Sequence, residues 1–228
     1  MINCKNLVLG YNNRPITTPM YINIRHSQWV GVVGQNGIGK STFFKALISK
    51  NKPLSGEIKI DGKSVQKANE LISYIPQERE INYDDKTSGL TLAKATYKGS
   101  KLGLPFWNSD FKKHLSYLVE LTNTTNYIKV PFKNLSGGQK KRIYLLQALI
   151  NKPEILLLDE PLSDLDPVSK QKFLQVLKEI HKNTSLTVLL ISHDMQEISH
   201  QLDWFLHFKD RGVHLCNKLP CLSEDANV

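Results

Sequence analysis

Hydrophobic positions along the chain fall into two repeating patterns. WVGVVG from Trp29, EILLLDEP from Glu154 and LTVLLISH from Leu186 are apolar through their centres, as strands buried on both faces are. KSTFFKALIS from Lys40, the stretch from Ser136 to about Asn151 and SKQKFLQVLKEIHKN from Ser169 space their apolar residues as helices do. INCKNLVLGY and ITTPMYINI read as shorter strands, separated by the turn cluster NNRP. GEIKIDGKSV reads as a strand, a turn and an exit, and LISYIPQ as a strand stopped by Pro76. Strand and helix runs alternating in this way predict an α/β fold with a parallel-sheet core.

From Glu78 to Asn134 the pattern changes. A polar loop around Asp84, Asp85, Thr87, Ser88 and Gly89 precedes one amphipathic helix, DFKKHLSYLVELT, and no strong strand signal follows. This stretch is predicted to be a mostly helical insertion. The expected organisation is a core of residues 1–77 and 135–217 that includes an N-terminal antiparallel β subdomain. Residues 78–134 form a helical subdomain and 218–228 a tail.

Composition narrows the setting. The 228 residues are 40% hydrophobic and 22% charged, a soluble globular balance. No run approaches the roughly 18 apolar residues of a membrane span. The N-terminus has no basic start followed by a long apolar segment, so residence in the cytosol is expected. Three cysteines, Cys4, Cys216 and Cys221, make no disulfide framework. The net charge of +9 is spread over scattered lysines, which argues against a nucleic-acid stripe and is compatible with an anionic membrane surface.

Two motifs carry chemistry. GQNGIGKS, Gly34 to Ser41, fits the phosphate-loop pattern in full and lies between a predicted strand and a predicted helix. Its glycines let backbone N–H groups curl around phosphate oxygens, and the helix N-terminus adds partial positive charge. Lys40 supplies a charge to the β- and γ-phosphates, and Ser41 a hydroxyl to Mg²⁺. ILLLDE brings Asp159 and Glu160 to the end of a buried strand, where ligands of parallel sheets bind. Asp159 can hold Mg²⁺ through water, and Glu160 can activate a water against the γ-phosphate. Together they indicate a nucleotide phosphohydrolase.

A second glycine-rich stretch, LSGGQKKR from Leu135, looks like another phosphate grip far along the chain. With it the chain resembles the ATP-binding subunit of an ATP-binding cassette (ABC) transporter. The matching pieces occur in that family's order: GQNGIGKST, YIPQ, LSGGQ, ILLLDEP, SDLD and LLISHD. The resemblance implies a P-loop NTPase cassette with a parallel-sheet core, an N-terminal antiparallel β subdomain and a helical insertion subdomain. It implies that ATP is contacted by Tyr11, Gly34, Asn36, Gly37, Gly39, Lys40, Ser41 and Thr42, with Tyr11 stacking on adenine. Mg²⁺ would be held by Ser41, Gln77 and Asp159. Glu160, His193 and Gln77 would be catalytic, His193 by bonding the γ-phosphate.

The same resemblance answers why there are two grips. In the family two cassettes pack head to tail, so Ser136, Gly137, Gly138, Gln139 and Asp166 would serve ATP bound to a second copy. Asp166 also reads as a helix N-cap before Pro167. The implied partners are that second copy and an integral-membrane permease, with room for a solute-binding protein. The implied place is the inner face of the cell membrane.

The 78–134 insertion would dock the permease, with Leu104, Phe106 and Trp107 read equally as partner-facing or core. Overall look, including HLCNKLP near the end, is closest to cassettes importing zinc or manganese. His193, His200, His207 and His214 are evenly spaced, but across changing elements that spacing is expected to put them on different faces. His214, Cys216 and Cys221 are an incomplete ligand set for metal. A soluble ABC ATPase working on nucleic acid or ribosomes is the alternative. It usually carries tandem cassettes or coiled coils, and this chain shows one cassette and no sustained heptads.

Overall fold

The structure is a computed structural model that describes residues 1–77, 84, 86–97, 109–192 and 198–217. His193, Leu104, Phe106, Trp107, Asp85 and Cys221 lie outside the described residues.

The three continuously apolar runs form β5 (Trp29–Val33), β9 (Ile155–Asp159) and β10 (Thr187–Ile191), every residue of them buried. They lie parallel in the centre of a six-stranded sheet with β8 (Ile72–Ile75), β11 (Trp204–Lys209) and β12 (Gly212–Cys216). The order is β12-β11-β5-β10-β9-β8, and only β12 runs antiparallel. Strand periodicity splits the side chains into two cores. Leu156, Leu158, Val188 and Leu190 face one core, and Ile155, Leu157, Leu189 and Ile191 the other.

The second core is closed by α1 (Lys40–Leu47) and by an antiparallel sheet. That sheet contains β1 (Ile2–Val8), β4 (Met20–Ile24), β6 (Ser55–Ile60) and β7 (Lys63–Ser64), in the order β4-β1-β6-β7. The turn cluster after Gly10 is a hairpin, with β2 (Gly10–Tyr11) paired to β3 (Arg14–Pro15). Asn12 and Asn13 both have positive φ (+49° and +60°), the geometry two-residue hairpins favour. A short α2 (Val65–Ala68) leads into β8.

The first core is covered by α5 (Gly137–Leu149), α6 (Pro167–Asn183) and the insertion. Within the insertion the predicted helix is α4 (Ser109–Leu121), which buries Phe111, Leu115 and Leu118. A further helix, α3 (Gly89–Thr96), occupies sequence that reads as loop and strand-poor linker. Antiparallel pairing of β11 with β12 sets His207 opposite His214. Two of the four evenly spaced histidines are therefore neighbours, against the expectation; the seven-residue step matches the span of this hairpin. His207 is buried, His214 is exposed, and Cys216 donates to the Phe205 carbonyl.

Candidate functional site

The C-terminal ends of the parallel strands bring most of the chemistry-bearing residues to one edge. β5 runs into the phosphate loop, whose first residue, Gly34, has φ +143°. A Cβ there would lie 2.5 Å from the Phe208 carbonyl oxygen, so both the angle and β11 demand glycine. The loop ends at α1. Lys40, buried at its first turn, donates from Nζ to the carbonyls of Gly34 and Gln35 at 2.6 and 2.9 Å. Burial pulls the Lys40 pKa below the ordinary lysine range, while Glu160 and Asp159 act the other way. The ammonium is thus held over the loop by two backbone carbonyls, with the Glu160 and Asp159 carboxylates acting on it electrostatically, a position suited to an incoming anion.

Asp159 ends β9 and is 4% exposed. Burial pushes its pKa above the usual carboxylate range, while hydrogen bonds from Tyr74 and Ser41 oppose that shift. Ser41 Oγ donates to Oδ1 at 3.3 Å and Tyr74 Oη donates to Oδ2 at 3.0 Å. Burial and the Asp159 charge push the Tyr74 phenol up, so it stays a donor. Glu160, the next residue, has φ +48°, a left-handed backbone uncommon for a residue with a side chain. Its N–H donates to the last carbonyl of β10, Ile191, at 3.0 Å, and its carbonyl accepts from Ser163 Oγ at 2.8 Å. Gln77, just past β8, donates from Nε2 to Glu160 Oε2 at 2.8 Å.

Asn36, Gly37, Gly39, Lys40, Ser41, Thr42, Gln77 and Glu160 line one cleft of about 360 Å³. Tyr11, turned by the β2–β3 hairpin, is half-exposed beside it and shares a 3.1 Å hydrogen bond with the Thr42 hydroxyl. The Ser41 hydroxyl, the Asp159 carboxylate and the amide oxygen of Gln77 are all oxygen donors. With its buried carboxylate, this set suits a hard divalent ion such as Mg²⁺.

The second grip is elsewhere. Ser136 caps α5 in a reciprocal box: its Oγ accepts from the Gln139 N–H, and Gln139 Oε1 accepts from the Ser136 N–H. None of Ser136, Gly137, Gly138 or Gln139 is among the described residues lining the phosphate-loop cleft. Asp166 caps α6, accepting from the Ser169 N–H at 3.0 Å, with Pro167 in the first turn. Hydrogen bonding from the Ser169 side chain, and then from its N–H, holds the Asp166 carboxyl below the usual range.

The family model described as ABC transporter matches residues 18–163, more than half of the chain. The chain belongs to the ABC transporter family.

It is an ATP-binding subunit of such a transporter, an ATPase that energises transport. The manganese transport system ATP-binding protein MntB of Bacillus subtilis is 29% identical over 88% of the chain and 80% of that protein. The energy-coupling factor transporter ATP-binding protein EcfA1 of Mycoplasmopsis pulmonis is 33% identical, over 91% of the chain and 79% of its own length. Other relatives are named for spermidine/putrescine or methionine import, and of these the chain spans only 51–61%. The structure of cbiO1 from Clostridium perfringens, part of the ABC transporter complex cbiONQ, shares the fold with a TM-score of 0.85. It is 24% identical, covering 98% of this chain and 91% of that one. A dimeric cassette bound to ADP and Pi also shares the fold, at TM-score 0.76 and 23% identity, covering 95% and 98% of the two chains.

One participant in the cassette escaped the reading of the sequence. Tyr74 reaches Asp159 only because β8 lies parallel to β9 with Tyr74 opposite Leu157. The available signal was a hydroxyl-bearing ring three residues before Gln77 on a short strand between two isoleucines.

Proposed function

We propose that the cassette binds Mg²⁺·ATP in this cleft and hydrolyses it only when two copies close head to tail. Closure and reopening would then drive a separate membrane permease. The observation that carries the reading is the separation of the two grips: Ser136, Gly137 and Gly138 lie outside the cleft that Gly34 to Thr42 build. The glycine at 137 points the same way. Among the described residues a Cβ there would meet only Leu165 Cδ2, at 3.8 Å, so their packing does not require glycine. A closely approaching second surface would.

In the closed pair the loop amides and Lys40 would hold the phosphates, Lys40 exchanging its two carbonyl acceptors for phosphate oxygens. Tyr11 would stack on the base. Ser41, Asp159 and Gln77 would hold Mg²⁺, which supplies charge neutralisation at the phosphates. Glu160 would take the proton of the attacking water. Gln77, now bonded to Glu160, would release it as the cleft fills. Ser136, with the α5 N-terminus, would complete the γ-phosphate site of the other copy, beside Asp166. The γ-phosphate role of His193 rests on its place in LLISHD.

No helix among the described residues is long and apolar enough to cross a membrane, so the passage itself is assigned to the permease. Residues 78–134 are proposed as its docking surface, and the inner face of the membrane as the place of work. The proposed cargo is a transition-metal ion of the manganese or zinc type, supported by the likeness to MntB. The test is affinity isolation of the tagged chain from membranes of its own host, followed by ATPase assays of the isolated complex in liposomes. The expected result is a co-purifying hydrophobic permease and hydrolysis stimulated by Mn²⁺ or Zn²⁺ on the entry side. Stimulation by a polyamine or an amino acid instead would overturn the cargo. Recovery of ribosomes without a permease would overturn the whole proposal.

A further inference from the structure

We propose that Tyr74 is a positioning residue for the cation site, fixing the carboxylate of Asp159 through its phenol hydroxyl. Asp159 receives one donor on each oxygen, Ser41 on Oδ1 at 3.3 Å and Tyr74 on Oδ2 at 3.0 Å. The two donors are not equivalent. Ser41 follows the phosphate-loop lysine, and its hydroxyl is claimed by the cation as well as by Asp159. Tyr74 has no place among the cation's proposed ligands. It is the donor that keeps Asp159 oriented whichever way the Ser41 hydroxyl turns.

The ring is built in for that task. It is partly buried, lies edge-on to Phe44 of α1 with centroids 6.3 Å apart, and is carried by a strand in parallel register with β9. The same strand end carries Gln77, which holds Glu160 at 2.8 Å. One three-residue step of chain therefore grips both acids, and a displacement of β8 would be felt by Asp159 and Glu160 together. Outer groups that orient metal-ligating carboxylates commonly tune metal affinity by about 10-fold or more.

The inference rests on the proposed Mg²⁺ role of Ser41 and Asp159. Its test is a titration of the full chain with a fluorescent ATP analogue, in EDTA and then at increasing Mg²⁺. Tyr74→Phe keeps the ring and its contact with Phe44 and removes only the hydroxyl. Nucleotide affinity in EDTA is expected to match wild type within about 2-fold, while the Mg²⁺ midpoint rises about 10-fold. Hydrolysis should recover at saturating Mg²⁺, and the thermal midpoint should stay close to wild type. An unchanged Mg²⁺ midpoint, or equal loss of affinity with and without Mg²⁺, overturns the proposal for Tyr74. If wild type itself gains no affinity from Mg²⁺, or keeps that gain in Asp159→Asn, the cation site has been placed wrongly.

Discussion

Gly34 and Gly137 are glycine for opposite reasons. Gly34 combines φ +143° with β11 backbone at contact distance, so a methyl group there strains the fold itself. Gly137 opens α5 with room for a methyl beside Leu165. Gly34→Ala should lower the stability of the isolated chain by about 2 kcal/mol, a drop of roughly 4–8 °C in Tm. Gly137→Ala should leave Tm unchanged or slightly raised and weaken only ATP-dependent pairing. A thermal melt alongside an ATP-dimer assay separates the two. Asp159 gives a further residue-scale prediction. Its folded pKa is raised by burial, so ionising it costs stability that accrues as pH rises from the ordinary carboxylate pKa up to the raised folded one and is constant above it. Asp159→Asn should therefore stabilise the nucleotide-free chain at pH 7 while abolishing hydrolysis. The gain should shrink towards acid pH, where wild-type Asp159 is protonated in both states. A melt series from pH 4 to pH 8 measures it.

At the scale of elements, the buried strands were legible, while the short α2 and the longer α3 were not. β5, β9 and β10 announce themselves by unbroken apolar runs, because burial on both faces leaves no polar position. α5 and α6 are bounded by caps visible in the sequence, Ser136 with Gln139 and Asp166 with Pro167. α3 was missed because it begins at Gly89, a poor helix residue, and contains two threonines. Packing explains the glycine: a Cβ on Gly89 would lie 2.5 Å from Ile143 Cδ1 of α5. Gly89→Ala should cost about 1–3 kcal/mol despite its better helix propensity. Ile143→Val in the same chain should recover much of that loss, a non-additivity that denaturant titration of the four variants can measure. The site was legible wherever a motif carries it, from Gly34 to Ser41 and at Asp159 and Glu160. Tyr74 and the His207–His214 pairing were not, because each depends on strand register, which is set by the sheet and not by local spacing.

For the whole molecule, the central claim is that one chain holds two half-sites and that ATP joins two chains to complete them. The phosphate-loop cleft and the α5 N-terminus are separate surfaces of the same cassette, so each copy must offer both. Glu160→Gln should keep nucleotide binding and lower turnover by about 10²-fold or more, prolonging the closed state. The most direct measurement is sedimentation velocity of Glu160→Gln with and without Mg²⁺·ATP, repeated with Ser136→Arg added. The account predicts a shift from the 26.0 kDa chain to a species of twice that mass with Mg²⁺·ATP, abolished by Ser136→Arg while nucleotide binding persists. An ATP-bound Glu160→Gln chain that stays monomeric, or an ATP dimer that survives Ser136→Arg, would contradict it.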